Sequence, residues 1–228
     1  MLLKVKNNNS EAVRTFDVLV FDFDGVIIDS ANDLVAAVQH SLHAVGSRDP
    51  GFLFIRNLIG IGARQLLQLS LEREKKHRID EAMEAFRGYY EQNCTNQTTL
   101  YPGVQEMLAF YHTSKYQALA TFKIREATLK VLEALGIRQY FDVIVTADDV
   151  VRPKPDPESI QTILRSLCCA PDATLLVGDT PTDVQTGKNA CIATCAVTYG
   201  MGTRERLQNA RPDFLIDDIR ELREIVAV

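Results

Sequence analysis

The sequence contains no tryptophan and only five cysteines in 228 residues. The cysteines are odd in number and form no Cys-x-x-Cys pair, so neither a disulfide framework nor a zinc knuckle is indicated. No apolar run approaches the roughly 18 residues that a membrane span needs, and the N-terminal stretch lacks the apolar segment of a signal peptide. We therefore expect a cytoplasmic protein that does not insert into a membrane.

An excess of positive charge is also missing. Lys and Arg together number 25 and Asp and Glu 30, which gives a net charge of −5. A mildly acidic chain offers no electrostatic reason to expect nucleic acid or an anionic membrane as a partner. Aromatic residues make up 7% of the chain, so a large interface anchored by aromatic side chains is not indicated.

Short apolar runs separated by helix-length segments dominate the rest of the chain. Runs that are apolar throughout are typical of strands buried on both faces, and alternation with helices is typical of a doubly wound α/β fold. Helices are predicted at 125–135 and 183–190. The predicted strands are residues 16–21, 118–122, 143–146, 174–177, 193–197 and 214–216.

The interval from about residue 32 to 99 breaks this alternation. It contains no convincing strand, and apolar residues such as Leu34, Val38 and Leu42 follow a helical spacing. We predict an insert of about four helices over residues 32–99. The core would then comprise residues 1–31 and 100–228, with a Rossmann-like parallel sheet.

Two carboxylates follow the first predicted strand. Asp22 and Asp24 stand one residue apart, and Gly25 directly after them allows a sharp turn and a close approach to a ligand. The carboxyl ends of parallel strands are where ligands bind in open α/β sheets. By itself this pattern also fits an ordinary strand followed by a polar turn.

A second acidic pair follows the strand at 174–177. Asp179 lies at the strand end and Asp183 in the first turn of the next helix, where Asp is common as a capping residue. Because the two strand ends lie at one edge of the sheet, the acidic clusters should meet. Hard oxygen ligands in that arrangement suit Mg²⁺.

Two further polar residues complete the pattern. Thr121 is the last polar group of the strand at 118–122, and its hydroxyl could donate to an anion. Lys154 lies in a segment that Pro153 and Pro155 hold extended, where it could place a charge on a phosphate or neutralise carboxylates. Taken singly, Thr121 fits an ordinary strand threonine and Lys154 fits a solvated loop lysine.

In chain order these motifs resemble the haloacid dehalogenase superfamily, specifically its phosphatase branch. The insert resembles the helical cap of that family, and the loop Gly60-Ile61-Gly62-Ala63-Arg64 resembles the cap loop of phosphoglycolate phosphatase-like members. The motifs that carry the resemblance are Asp22-Phe23-Asp24-Gly25-Val26, Thr121, Lys154 and Gly178-Asp179-Thr180-Pro181-Thr182-Asp183.

The resemblance implies a role for each residue. Asp22 would be the nucleophile and Asp24 the general acid and base. Asp22, the Asp24 carbonyl and Asp179 would bind Mg²⁺. Phosphate would be held by Gly25, Thr121 and Lys154, with Asp183 orienting Lys154 or a metal-bound water. Arg64 could capture a charged group of the substrate.

The expected function is a Mg²⁺-dependent phosphatase that hydrolyses a small phosphorylated metabolite, with phosphoglycolate as the first candidate. A β-phosphoglucomutase-like mutase, an inorganic pyrophosphatase and a receiver or binding protein without turnover remain alternatives. A dehalogenase is disfavoured because halide leaves without a general acid such as Asp24. Phe122 stands where the family usually has a small polar residue, and the oligomeric state is left between monomer and homodimer.

Overall fold

A computed structural model describes residues 15–228, so residues 1–14 of the predicted core lie outside the described part. The strands are β1 (Val18–Phe21), β2 (Ile28–Asp29), β3 (Thr99–Leu100), β4 (Tyr116–Ala120), β5 (Val143–Val145), β6 (Thr174–Gly178), β7 (Ala193–Val197) and β8 (Phe214–Ile216). The helices are α1 (Ala31–Ala44), α2 (Phe52–Arg56), α3 (Ala63–Ser70), α4 (Ile79–Asn93), α5 (Val104–Tyr111), α6 (Arg125–Ala134), α7 (Glu158–Leu167), α8 (Pro181–Asn189), α9 (Arg204–Ala210) and α10 (Leu222–Ile225). None of these helices combines the length and the apolar character needed to cross a membrane.

Six strands form one sheet in the order β5-β4-β1-β6-β7-β8. All of its pairings are parallel. Alternate side chains of β1 face opposite sides. Leu19 and Phe21 belong to the larger core cluster with residues of α5 and α6, whereas Val18 and Val20 pack with residues of α7. Helices on both faces of a parallel sheet confirm the predicted doubly wound α/β fold.

At two ends a strand is two residues shorter than predicted. Phe16 is fully buried but precedes β1, where its ring packs edge-on against Phe214. Its burial reflects packing in the main hydrophobic core, not pairing in the sheet. The predicted strand at 118–122 ends at Ala120, so Thr121 and Phe122 lie in the turn before α6. The Thr121 amide still donates to the Val145 carbonyl at 3.0 Å, which continues the hydrogen bonding of the sheet by one residue.

Helices α1 to α4 occupy the interval between β1 and β4 in which no strand was predicted. The two places where the chain enters and leaves this helical insert are joined by β2 and β3, which pair antiparallel through Ile28 with Leu100 and Asp29 with Thr99. Strands of two residues carry no periodic pattern, so the sequence could not indicate this small ribbon.

A buried carboxylate fastens the same junction. Asp33 in α1 is 3% exposed. Its carboxylate accepts hydrogen bonds from the backbone amides of Gln97 and Thr98 and from the Thr98 hydroxyl, at 2.8–3.1 Å. The entry and exit segments of the insert are therefore held together by one side chain.

Replacing Asp33 by alanine is expected to lower the free energy of unfolding by about 2–4 kcal/mol, because three donors lose their acceptor and Thr98 is buried. Urea denaturation followed by circular dichroism measures the change. The control is Asp80→Ala, which removes an exposed ion pair to Arg64 and should change stability by less than about 1 kcal/mol. Equal effects of the two variants would contradict the prediction.

Candidate active site

Three strand ends at one edge of the sheet bring the predicted residues together. Asp22 directly follows β1, Thr121 directly follows β4, and Asp179 directly follows β6. The chain order reverses at β1, since β4 pairs on one side of it and β6 on the other. This reversal is the position where open α/β sheets form a crevice for ligands.

Asp22 is 4% exposed and sits at the centre of the group. Its Oδ1 accepts from the Phe23 amide at 2.8 Å and lies 3.0 Å from the Lys154 ammonium. Burial raises the pKa of Asp22 to about 7 even though Lys154 favours the charged form. A buried carboxylate of this kind is costly unless a further positive charge stabilises it.

Lys154 is buried among acceptors. Its ammonium lies 2.6 Å from Asp183 Oδ1, 3.0 Å from Asp22 Oδ1 and 3.2 Å from the Ala120 carbonyl. Burial lowers the pKa of Lys154, but the carboxylates of Asp183 and Asp22 outweigh it and raise the pKa above its ordinary value. Lys154 is therefore a permanent cation at this site, and three protein oxygens surround its ammonium group.

Asp183 holds Lys154 and caps α8 at once. Its Oδ2 accepts from the Thr180 amide and hydroxyl, while the Thr180 hydroxyl accepts from the Asp183 amide. This reciprocal capping box fixes the Asp183 side chain at the start of the helix. Both carboxylate oxygens have partners, so Asp183 acts here as the support of Lys154.

Asp179 is fully buried in a cradle of glycines. A Cβ on Gly25 would lie 2.0 Å and one on Gly200 2.4 Å from Asp179 Oδ2, so neither position admits a side chain. That oxygen accepts from the Met201 amide at 2.6 Å, while Oδ1 is buried without a hydrogen-bond partner among the described residues. Burial, Asp183 and Asp22 raise the pKa of Asp179 well above its usual range.

These carboxylates fit a hard divalent cation. Ligand oxygens of Asp22, Asp179 and Asp183 lie within 4.8 Å of one another. An unpartnered buried oxygen on Asp179 is the kind of group that a cation satisfies, and oxygen ligands suit Mg²⁺. Since Asp183 is already paired with Lys154 and Thr180, Asp22 and Asp179 have the more available oxygens.

Asp24 lies beside Asp22 and has different partners. Its Oδ1 accepts from the Ser30 hydroxyl and lies 2.9 Å from the Lys123 ammonium. Lys123 also donates to the Tyr90 hydroxyl of α4 at 2.6 Å. A residue of the helical insert thus contacts the cation that holds Asp24.

The two other predicted phosphate-binding groups differ in availability. The Thr121 hydroxyl accepts a hydrogen bond from the Lys123 amide at 3.1 Å. Its own proton has no acceptor among the described residues, so it is free to donate to a ligand. The Gly25 amide donates to the Ile28 carbonyl at 2.9 Å. With φ of +93° and its contact to Asp179, Gly25 shapes the acidic cluster and offers no free amide to a ligand.

A cavity of about 100 Å³ separates this group from the helical insert. Asp22, Asp24 and Thr121 line its floor, and residues of α3, α4 and the loop before α3 line its roof. Gly60 and Gly62 of that loop approach the sheet closely, since a Cβ there would lie 2.9 Å from Thr180 and 3.5 Å from Phe122. The insert therefore covers the candidate site directly.

Arg64 does not line this cavity, and its contact with a charged group of the substrate stays a prediction. Its guanidinium pairs with Asp80 at 2.8 Å, and 58% of the side chain is exposed. The reason is helical geometry, because successive residues turn by about 100°. Ala63 and Leu66 face the cavity, and Arg64 is rotated away from it.

Several contributors to the site were missed in the sequence. Lys123, Ser30 and Tyr90 surround Asp24, and the loop at Gly200 and Met201 follows β7 to reach Asp179. Lys123 stood next to a candidate position, and the glycines at 200 and 202 marked a loop at a strand end. Nothing in the pattern of α4 separates Tyr90 from an ordinary core residue.

Comparisons with known proteins agree with this geometry. A family profile described as haloacid dehalogenase-like hydrolase matches residues 19–197. A phosphoglycolate phosphatase of Vibrio cholerae is 31% identical over 224 residues, which cover 95% of this chain and 99% of that protein. The pyrophosphatase PpaX of Halalkalibacterium halodurans is 30% identical over 213 residues, covering 93% and 97%.

The fold has close neighbours among solved structures. A haloacid dehalogenase-like family hydrolase from Streptococcus pneumoniae superposes with a TM-score of 0.83 at 23% identity, covering 91% of this chain and 96% of the other. At that identity the likeness speaks for the fold alone. The family profile and the relatives named above show that the chain belongs to the haloacid dehalogenase-like hydrolase family, in its phosphatase branch.

Proposed function

We propose that this protein hydrolyses a small phosphorylated metabolite, with Asp22 as nucleophile, through an aspartyl-phosphate on that residue. The observation that carries the proposal is the buried group Asp22, Lys154 and Asp183 at the end of β1, with Asp24 beside it on the floor of a cavity. Such a group serves a covalent mechanism, because it presents a carboxylate with a fixed counter-charge to a bound ester.

Asp22 would attack the phosphorus atom as the bond to the leaving oxygen breaks. Lys154 is already 3.0 Å from Asp22 Oδ1. Its positive charge would therefore balance the negative charge that shifts from the nucleophile to the phosphoryl oxygens. The free proton of the Thr121 hydroxyl would donate to one of these oxygens. Pre-positioned donors of this kind stabilise the transition state without reorganisation.

Asp24 would give a proton to the leaving alkoxide in the first step. In the second step it would take a proton from the water that attacks the aspartyl-phosphate, which regenerates Asp22 and releases phosphate. Ser30 and Lys123 hold its carboxylate, so both transfers would occur from one position. This pair of steps divides one difficult hydrolysis into two easier ones.

Mg²⁺ is the proposed cofactor, held by Asp22, Asp179 and the Asp24 carbonyl. When bound, it would supply positive charge that lets an anionic carboxylate approach an anionic phosphoryl group. The unpartnered Asp179 Oδ1 and the raised pKa of Asp179 and Asp22 support this assignment.

The helical insert at 32–99 is proposed to act as a cap that excludes water from the reaction. Its loop at Gly60 and Gly62 contacts Thr180 and Phe122, and the junction at Asp33 and β2–β3 would be its hinge. A cytoplasmic location, a monomeric or homodimeric state and the absence of nucleic acid as a partner stay predictions from the sequence.

The proposal is tested by phosphate release from phosphoglycolate, pyrophosphate and simple monoesters, with and without Mg²⁺. The relative named phosphoglycolate phosphatase makes that ester the first substrate to test, and the relative named pyrophosphatase makes pyrophosphate the second. Metal-dependent release would support the proposal. Interconversion of sugar phosphates without release would favour a mutase, and phosphorylation without turnover would favour a receiver.

Addition of Mg²⁺ is expected to raise the melting temperature by about 5–10 °C at saturation. The cation relieves the repulsion among buried carboxylates, and a ligand at about 100 times its Kd adds about 2.7 kcal/mol of stability, which corresponds to a shift of this size in a chain of this length. Differential scanning fluorimetry measures it. The shift should disappear in Asp179→Asn and persist in Asp172→Asn, an exposed control. An unchanged shift in Asp179→Asn would contradict the assignment.

A further inference from the structure

The wall of the cavity above Asp22 is apolar, and this bears on which ester the proposed phosphatase accepts. The carboxylates and Thr121 lie on the floor, whereas the sides and roof are formed by aliphatic and aromatic side chains. Six of these are Ile59, Leu66, Met83, Phe86, Phe122 and Ile124. A group attached to the phosphate would therefore meet hydrocarbon in most directions.

The charges around the cavity do not favour a second anion on the substrate. The carboxylates of Asp22, Asp24 and Glu91 line it, and the only cations among the described lining residues are Lys123 and Arg87. Lys123 is neutralised by Asp24 at 2.9 Å. Arg87 is exposed and lies one helical turn before the exposed Glu91 on α4, so its charge is at the rim and in water.

Phe122 adds an apolar ring to the cavity wall at the point nearest the proposed phosphate site. It follows Thr121 directly, and its ring lies 5.0 Å from the Lys154 ammonium. The ring also lies against Gly62, where a Cβ would be 3.5 Å away, so the absence of a side chain there leaves room for the ring. A small polar side chain at this position would offer a hydrogen bond to the substrate, and the phenylalanine ring offers a surface for hydrocarbon instead.

From these observations, and resting on the proposed phosphatase function, we propose that the preferred substrates are phosphate monoesters of compact apolar alcohols. The ester oxygen would face Asp24 and the hydrocarbon would pack between Phe122 and the side chains of α3 and α4. A cavity of about 150 Å³ holds a benzene ring with its six carbon atoms, so the space of about 100 Å³ here suits a branched chain of about three or four carbon atoms.

The sharpest test compares isobutyl phosphate with phosphoglycolate. The two esters have nearly the same shape, because an isopropyl group replaces the carboxylate. Burying two methyl groups is favourable and burying an unpaired carboxylate is not, so kcat/KM for isobutyl phosphate is expected to exceed that for phosphoglycolate by about tenfold or more. The difference in leaving-group reactivity favours phosphoglycolate. A higher kcat/KM for isobutyl phosphate would therefore not be explained by the leaving group.

Two variants check that the wall sets this preference. Met83→Lys introduces a cation into the partly exposed roof. It is expected to lower the ratio of kcat/KM for isobutyl phosphate to kcat/KM for phosphoglycolate by at least about tenfold, mainly by raising the value for phosphoglycolate. Phe122→Asn is expected to lower the same ratio by about fivefold or more, mainly by weakening isobutyl phosphate. Because each ratio is taken within one protein, a general loss of activity does not affect it.

The variant Arg87→Met tests the remaining alternative, in which the arginine at the rim binds a carboxylate of the substrate. If the rim arginine captured a substrate carboxylate, wild type would prefer phosphoglycolate and this variant would lose that preference, which would overturn the proposal. Under the proposal, Arg87→Met leaves the ratio unchanged within about twofold or raises it.

Failure of the inference and failure of the proposed function give different results. Mg²⁺-dependent release from phosphoglycolate at an equal or higher kcat/KM than from isobutyl phosphate would overturn the inference alone. No release from any monoester, p-nitrophenyl phosphate included, would overturn both.

Discussion

Replacing Asp22 by asparagine is expected to lower phosphate release by a factor of about 10⁴ or more, which leaves only the catalysis that binding and charge stabilisation provide without a nucleophile. The free energy of unfolding at neutral pH should not fall. The pKa of Asp22 is raised by burial in the folded state, so its ionised form opposes folding above the unfolded pKa, and a neutral amide of the same shape removes that penalty.

The measurement is steady-state phosphate release with Mg²⁺, alongside urea denaturation of the same preparations. Asp17→Asn is the matched control, because Asp17 is exposed and precedes β1 at the opposite end of that strand. It should retain wild-type activity. Residual activity of Asp22→Asn within about tenfold of wild type would contradict the nucleophile assignment. It would indicate that another carboxylate of the cluster is the nucleophile.

Replacing Lys154 by methionine is expected to lower both activity and stability. Asp22 and Asp183 would lose their shared buried cation, and breaking a buried pair on one side costs about 3–5 kcal/mol. Phosphate release should fall by about 10²–10³-fold, as expected for the loss of one group that stabilises transition-state charge. Urea denaturation without metal and phosphate release with Mg²⁺ measure the two effects.

Lys188→Met provides the control for this variant. Lys188 is exposed and donates to the Ala210 carbonyl on the surface, so stability should change by no more than about 0.5 kcal/mol. Added Mg²⁺ should restore part of the stability of Lys154→Met, since it supplies positive charge to the same carboxylates. An unfolding midpoint equal to that of wild type would show that the carboxylates do not need Lys154.

Much of the fold followed from local pattern. The strands at 143–146, 174–177, 193–197 and 214–216 lie within a residue of β5 to β8, because apolar β-branched runs bounded by turns leave little choice of structure. The long helices of the insert were equally visible from their spacing. The two-residue strands β2 and β3 were not, since their pairing depends on where the insert begins and ends in space.

The candidate site shows the same division. Asp22, Thr121 and Asp179 could be placed together from sequence, because each follows a parallel strand and such ends share one edge of a sheet. The partners of Asp24 could not, because Lys123, Ser30 and Tyr90 come from three separate parts of the chain. The sequence of the glycine loop predicts a role for the charge of Arg64, and only the rotation of α3 decides that this side chain faces solvent and Asp80.

Local sequence pattern was therefore enough to establish the fold class, the edge of the sheet that carries the acidic residues, and the kind of chemistry that they suit. These depend on period, burial and short-range geometry, which neighbouring residues set. Tertiary structure alone decided that Lys154 is shared between Asp22 and Asp183, that glycines 25 and 200 enclose Asp179, and that α3 and α4 roof the site with hydrocarbon. These are contacts between distant segments, and they are fixed only when the insert packs on the sheet.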